Sequence, residues 1–289
     1  MNPVSCAEIH KKDKLKRLLR RFDISADRSK GQHFLVDRSY LETVAGQAGR
    51  GGVVIEVGAG PGSLTCLLKE SFDRTFAIEI DGRFSRLFKN LNPEKSVEFI
   101  RADFLSLDYS ELGLERDSSA SLVGNIPYGI TGKILERAVA GRDFFSKAVF
   151  TIQREVADRV LADLGTKDCG AITYFIKAYA EVTRIADIPS SAFYPPPEVD
   201  SSIVEIVFAP EKRFESRDEV LLSLVRGLFN YRRKTIRKGL MVSPKFSLNR
   251  EEVDELISRA GIDSRKRPEE LALEEFDTLA ILLGESGLS

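Results

Sequence analysis

Val53-Val54-Ile55-Glu56-Val57-Gly58-Ala59-Gly60-Pro61-Gly62 is the stretch that decides the fold. A short apolar run leads into three glycines at alternate positions, and a helical pattern follows near 63–70. Such a strand–turn–helix unit opens an alternating α/β chain. Downstream the alternation repeats. Strands are expected at Thr75–Ile80, Val97–Arg101, Ala120–Gly124 and Lys147–Ile152, with helical segments near 82–90, 131–140 and 153–164. Continuous apolar strands between helices predict a parallel sheet covered on both faces. A helical stripe of Ile172, Phe175, Ile176 and Tyr179 comes next, then strands at Glu181–Ile188 and Ser202–Phe208. With no clear helix between them, these two are expected as an antiparallel pair at the sheet edge.

Upstream, Leu15, Leu18, Leu19 and Phe22 give residues 13–22 the spacing of an amphipathic helix with a basic opposite face. Arg28 to Leu35 breaks that spacing and is expected as a loop, and Asp37 can cap a helix whose stripe is Leu41, Val44, Ala45 and Ala48. Beyond Pro210 only helical stripes remain, including one opened by Asn249 and Glu252 in capping-box spacing and stopped by Gly261. The expected organisation is an α/β domain over 1–210, with a basic N-terminal helix, and a small all-helical domain over 211–289.

The 289 residues are 43% hydrophobic and 30% charged, as in soluble globular proteins. No apolar run approaches the roughly 18 residues of a membrane span. The N-terminal lysines are not followed by the apolar segment of a secretory signal. Cys6, Cys66 and Cys169 are scattered and are expected as reduced thiols of a cytoplasmic protein. No Cys/His cluster has metal-ligand spacing, so no zinc site is expected. The net charge of −1 hides an asymmetry: residues 1–38 hold ten Lys/Arg against five Asp/Glu, and Arg226–Leu240 holds six basic residues and no acid. Such patches suit a polyanion, or are simply solvated helix faces.

The chemistry gathers at strand ends. The glycine spacing is G-x-G-x-G, one place shorter than the dinucleotide fingerprint. Glu79 ends the second strand, 21 residues after Gly58, where an acid can accept from both ribose hydroxyls. Asp103 follows the third strand, where a carboxylate can accept from an adenine amino group. Without a pyrophosphate fingerprint, this set favours S-adenosylmethionine over NAD. The fourth strand ends in Asn125-Ile126-Pro127-Tyr128. The Asn125 side-chain oxygen, with the carbonyl of Ile126 or Pro127, can accept both N–H bonds of an adenine amine and stabilise the charge that develops on it. Tyr128 offers a stacking ring. The stiff Phe193-Tyr194-Pro195-Pro196-Pro197 stretch can hold Phe193 or Tyr194 in place as a second wall, and a base gripped between Phe193 and Tyr128 must first be flipped out of its stack. A structural turn with core aromatics is the plain alternative for both stretches.

With these pieces in order, the chain resembles the small-subunit rRNA adenine N6,N6-dimethyltransferases, the KsgA family. The resemblance runs from about Leu15 to Leu283. It is carried by Gly31–Leu35, Glu56–Gly62, Glu79-Ile80-Asp81, Asp103-Phe104, Asn125–Tyr128, Gln153–Ala157, Phe193–Ser201 and Arg232–Arg237. It implies a Rossmann-like class I S-adenosylmethionine-dependent methyltransferase domain with a small C-terminal helical domain that binds rRNA. The implied activity dimethylates two adjacent adenosines in the 3′-terminal hairpin of 16S rRNA. The implied partner is the small-subunit rRNA in an immature 30S particle, met by a monomer. Residue by residue, it puts His33, Leu35, Gly58, Glu79, Asp103 and Asn125 around the donor and Asn125, Tyr128 and Phe193 around the target base. Three positions depart from the family's usual residues: His33 for asparagine, Lys30 for an apolar residue, often leucine, and Gly129 for a frequent asparagine. Two alternatives share the fold: a 23S rRNA adenine methyltransferase of the macrolide-resistance type, and a non-catalytic ribosome-assembly factor. An NAD oxidoreductase is disfavoured by the glycine spacing.

Overall fold

The computed structural model describes residues 6–27, 31–209 and 211–285. The chain divides into two compact units, one running to Ala157 and including Val182–Phe208, the other comprising Asp158–Glu181 and everything from Ala209.

The first unit is built on a seven-stranded sheet. In chain order the described strands are β1 (Phe34–Leu35), β2 (Val53–Val57), β3 (Arg74–Ile78), β4 (Val97–Ile100), β5 (Ala120–Asn125), β6 (Phe145–Gln153), β7 (Ala180–Ile188), β8 (Phe193–Tyr194) and β9 (Ser201–Phe208), of which β1 and β8 pair with each other apart from the large sheet. The large sheet has the order β4-β3-β2-β5-β6-β9-β7. The pairs from β4 through β6 are parallel, and β9 runs antiparallel to β6. The two strands expected at the edge are there, with β9 inside and β7 outermost. The order reverses at β2, from which the chain runs first outward to β3 and β4 and then back to β5. In open α/β sheets such a switch point leaves a crevice beyond the carboxyl ends of the strands.

The helices of this unit are α1 (Lys12–Arg21), α2 (Arg38–Ala48), α3 (Thr65–Leu68), α4 (Phe84–Leu91), α5 (Thr131–Ala140) and the first half of α6 (Arg154–Leu161). Asp37 caps α2 by accepting the N–H of Ser39 at 2.9 Å. One apolar cluster joins Leu41, Val44 and Ala48 of α2 to Val54, Val123 and Val149 of the sheet. Another joins Leu15, Leu18 and Leu19 of α1 to Phe34 and to Phe84 and Leu87 of α4. At roughly 2 kcal/mol for each fully buried large aliphatic side chain, these clusters hold the helices on the sheet.

The expectation of three reduced thiols needs correction. Cys6 and Cys66 are joined as a disulfide, their Cα atoms 5.5 Å apart, and the buried Cys169 is the free thiol. A separation of 60 residues conceals the pair in the sequence. The fold brings both into the cluster around α1 and α4.

The second unit is helical: α7 (Ala171–Lys177), α8 (Asp218–Phe229), α9 (Ile236–Val242), α10 (Arg250–Ala260) and α11 (Leu273–Glu285). Asn249 and Glu252 form the expected capping box of α10, and Gly261 ends it in the left-handed conformation. The stripe around Phe175, placed by sequence in the 1–210 domain, groups with this unit. The reason lies in Tyr174 and Tyr179. Tyr174 packs edge-on against Phe276, with centroids 4.8 Å apart, and Tyr179 packs edge-on against Phe214 at 5.0 Å. Among the described residues no helix is long and apolar enough to cross a membrane.

Candidate active site

The turn after β2 begins the site. Gly58 and Ala59 both donate to the carbonyl of Ile78, at 2.9 and 3.1 Å, so the turn is tied to the end of β3. Gly60 has φ of +53°, and a Cβ there would come within 3.2 Å of the Phe34 ring. The positive φ favours glycine, and a side chain there would also crowd Phe34. Glu79, just past β3 and 8% exposed, accepts the N–H of Gly60 on one oxygen and that of Asp81 on the other, each at 2.8 Å. Burial raises its pKa and these backbone bonds oppose the rise. Behind it, Glu56 on β2 is fully enclosed and accepts the Thr65 hydroxyl. Burial pushes the Glu56 carboxyl up to about 8; the Thr65 bond works against this and the charge of Glu79 adds to it.

Asp81 ties a second segment to the same strand end. It accepts from Gln32 Nε2 at 3.1 Å and from Arg83 Nε and Nη2 at 2.9 and 2.6 Å. The Arg83 bonds hold its carboxyl well below the usual range. Gln32 also accepts the N–H of Asp27 at 2.8 Å, so its amide braces the approach to His33. Lys30 lies outside the described residues.

β5 delivers Asn125 beside the turn. A Cβ on Gly124 would lie 2.5 Å from the Val57 carbonyl, so only glycine lets β5 approach β2 at this point. Asn125 Nδ2 donates to the His33 carbonyl at 2.6 Å. Nδ2 is thus engaged, and Oδ1 meets no donor among the described residues. Pro127 carries the chain into the Tyr128 turn, and its carbonyl accepts from Ile130 N–H at 3.2 Å and from the Thr131 hydroxyl at 3.3 Å. The Tyr128 hydroxyl lies 2.8 Å from Ser201 Oγ. Partial burial raises the Tyr128 pKa, partly offset by that bond.

His33, Gly58, Glu79, Asp103 and Asn125 line one cavity, together with Gly60, Ile80 and Pro127. Asp103 also accepts the N–H of Leu105 at 2.9 Å. Leu35, Tyr128 and Phe193 do not line this cavity. Leu35 is buried and pairs with Phe193 across the β1–β8 ladder. Phe193 is 0% exposed and packs in the apolar cluster with Leu35, Val123 and Val149. The accessible ring of the Phe193-Tyr194 pair is that of Tyr194, with Lys16 Nζ 5.0 Å from its centroid. Gly129 is exposed, and a Cβ there would have nothing within 4 Å.

Sequence reading assigned no role to Ile80. It is 62% exposed at the cavity, between two acids engaged in hydrogen bonds. Gln32 and Gly124 also went unassigned, because their parts depend on partners 49 residues away in Asp81 and across the sheet in Val57. An apolar platform at Ile80 with a carboxylate on either side, Glu79 and Asp103, suits a purine nucleoside: ring against Ile80, hydroxyls to one acid, amine to the other. A methyl donor built on adenosine fits these residues.

Comparison with known proteins agrees. A family profile described as ribosomal RNA adenine dimethylase matches residues 24–284. The chain is 34% identical over 278 residues to the ribosomal RNA small subunit methyltransferase A of Pelotomaculum thermopropionicum, covering 92% of this chain and 94% of that protein. It is 32% identical over 269 residues to the protein of the same name from Clostridium botulinum strain Kyoto, covering 92% and 96%. Among solved structures, a dimethyladenosine transferase from Plasmodium falciparum superimposes with a TM-score of 0.72 at 22% identity, covering 87% of this chain and 98% of that one. The 23S rRNA methyltransferase ErmE superimposes with a TM-score of 0.63 at 25% identity, covering 87% and 99%.

Proposed function

This chain belongs to the ribosomal RNA adenine dimethylase family, and from that premise we propose that it methylates N6 of two adjacent adenosines in the 3′-terminal hairpin of 16S rRNA during ribosome biogenesis. The methyl donor is S-adenosylmethionine. The observation that best supports this reading is the convergence of Glu79, Asp103 and Asn125 on one cavity, with the Asn125 amide nitrogen already engaged.

Bound there, S-adenosylmethionine would supply a methyl group on a positively charged sulfur, the C–S electron pair remaining with sulfur when the N–C bond forms. Glu79 takes the ribose hydroxyls with its remaining lone pairs, and Asp103 takes the donor's adenine amine. Gly58 lets the backbone lie close to the donor. Leu35 holds the preceding residues in place from the core rather than touching the donor. Asn125 Oδ1 accepts one N–H of the target amine. The second acceptor is the carbonyl of Ile126 or of Pro127: Pro127 lines the cavity but its carbonyl already takes two donors, whereas Ile126 is buried. These two bonds draw the amine lone pair out of the ring and aim it at the methyl group. Tyr128 stacks the base, worth about 1–3 kcal/mol. Phe193 is sealed in the core beside Leu35 instead of facing the base. The methylated amine, once cationic, gives its proton to water without a dedicated base.

The 23S alternative has a structural neighbour in ErmE, but the relatives that cover nearly the whole chain carry the small-subunit name. Labelled methyl transfer to immature 30S particles and to protein-free 23S rRNA separates the two. Transfer to the 30S particle is expected; transfer to 23S rRNA alone would overturn the assignment.

A further inference from the structure

His33 borders the donor cavity, yet its contacts run to the acceptor side. Its Nδ1 lies 2.8 Å from the carbonyl oxygen of Pro195. A carbonyl only accepts, so Nδ1 carries the proton. The imidazole lies nearly parallel to the Tyr128 ring, with centroids 5.6 Å apart and planes 18° from each other. The backbone carbonyl of His33 receives the Asn125 amide at 2.6 Å. One residue therefore joins the end of β5, the turn after it and the proline loop. Tyr128 is held from two directions, by this ring and by Ser201 at its hydroxyl.

We infer that His33 is a positioning residue for the target base: its ring backs Tyr128 and its Nδ1–H locks the proline loop, so the stacking surface is fixed before RNA arrives. This deepens the adenine-methylation reading and rests on it. The physical gain is preorganisation. A tyrosine already held against a neighbouring ring and a hydroxyl has little rotamer freedom left to lose when a base stacks on it. The ring's protonated nitrogen is spent on Pro195, so towards the cavity the imidazole can offer only the Nε2 lone pair as an acceptor.

Two variants separate the ring from the hydrogen bond. His33→Asn removes the ring and keeps an N–H donor; His33→Phe keeps the ring and removes the donor. Three readouts apply to the full-length protein: calorimetric affinity for S-adenosylmethionine, KM and kcat for the rRNA substrate, and fluorescence of a hairpin carrying 2-aminopurine at the target position. For His33→Asn we expect KM for RNA to rise about tenfold and the aminopurine response to fall, as when a base is deprived of a firm stacking surface. Donor affinity should stay within about twofold. His33→Phe should recover most of the KM and of the aminopurine response. The inference fails if His33→Asn weakens donor binding about tenfold with KM for RNA unchanged, or if His33→Phe recovers nothing. The methylation reading is judged on wild-type transfer alone. The His33 assignment is judged on variant-to-wild-type ratios in the donor and aminopurine titrations, so the two can fail separately.

Discussion

At the donor edge, Glu79 is pinned by the backbone N–H groups of Gly60 and Asp81, and its neighbours line an open cavity. At the acceptor edge, the ring of Phe193 is sealed in the core and Tyr128 is clasped between His33 and Ser201. The donor edge is made by turns at the ends of β2 and β3, joined through backbone groups of neighbouring strands. The acceptor edge is made by side chains that meet only after β1, β5, β8 and β9 have assembled. The donor edge opens directly on the cavity. The acceptor edge presents two partly accessible rings, Tyr128 and Tyr194, while Phe193 is sealed in the core. Asn125 stands where the two edges meet.

The largest test of that contrast is Phe193→Ala. Sealed in the core, Phe193 should cost about 3–5 kcal/mol of folding stability when truncated, read from urea unfolding. A variant of native stability that had lost methyl transfer would instead make Phe193 a wall that touches the base. Next is Asn125→Ala, expected to reduce kcat by about 10²–10³, as when a preorganised transition-state hydrogen bond is removed. RNA affinity in a filter-binding assay should hold; loss of binding in step with activity would break the clamp.

The enclosed acid behind the donor edge gives a pH signature. Glu56 titrates near 8 in the folded protein, well above the ordinary carboxylate range, because of burial. The unfolded chain therefore releases this proton first as pH rises. The Glu56 contribution is fully present below the ordinary carboxylate range and is lost towards pH 8, at about 1.4 kcal/mol per pH unit. Glu56→Gln should flatten that part of the stability profile between pH 5 and 8, measured by urea unfolding at several pH values. An unchanged profile would mean that Glu56 is ionised in the fold.

Tyr128→Phe keeps the ring and deletes the bond to Ser201. A loss of about 1 kcal/mol, a few-fold in KM for RNA, is expected. The smallest effect belongs to the basic turn of the helical unit. There Arg232 faces Glu269 at 3.7 Å and Arg237 is bound to Asp254, whereas Arg233, Lys234 and Lys238 are exposed. Neutralising these three should reduce the salt slope of RNA binding by about 0.7 for each phosphate that is no longer neutralised. An unchanged slope would return the turn to a solvated surface.

How much of this was legible in the sequence follows the same division. The alternation from Val53 onward announces the parallel sheet, because a fully buried strand must be apolar throughout. The strand-end positions of Gly58, Glu79, Asp103 and Asn125 follow from that sheet, and all four line the cavity. Ile80 has no role legible in the sequence, since exposure cannot be read from residue type. Phe193 looks like a free wall because proline stiffness shows in sequence while burial does not; only the β1–β8 ladder reveals it. Cys6 with Cys66, and Tyr174 with Phe276, are contacts between distant segments that no local pattern announces.

The most direct test is mass spectrometry of 16S rRNA from cells lacking the gene and complemented with wild-type protein or with Asn125→Ala. The account expects paired N6,N6-dimethyladenosines near the 3′ end with the wild type and unmethylated adenosines with the variant. Unmethylated adenosines with the wild type, or full dimethylation with Asn125→Ala, would contradict it.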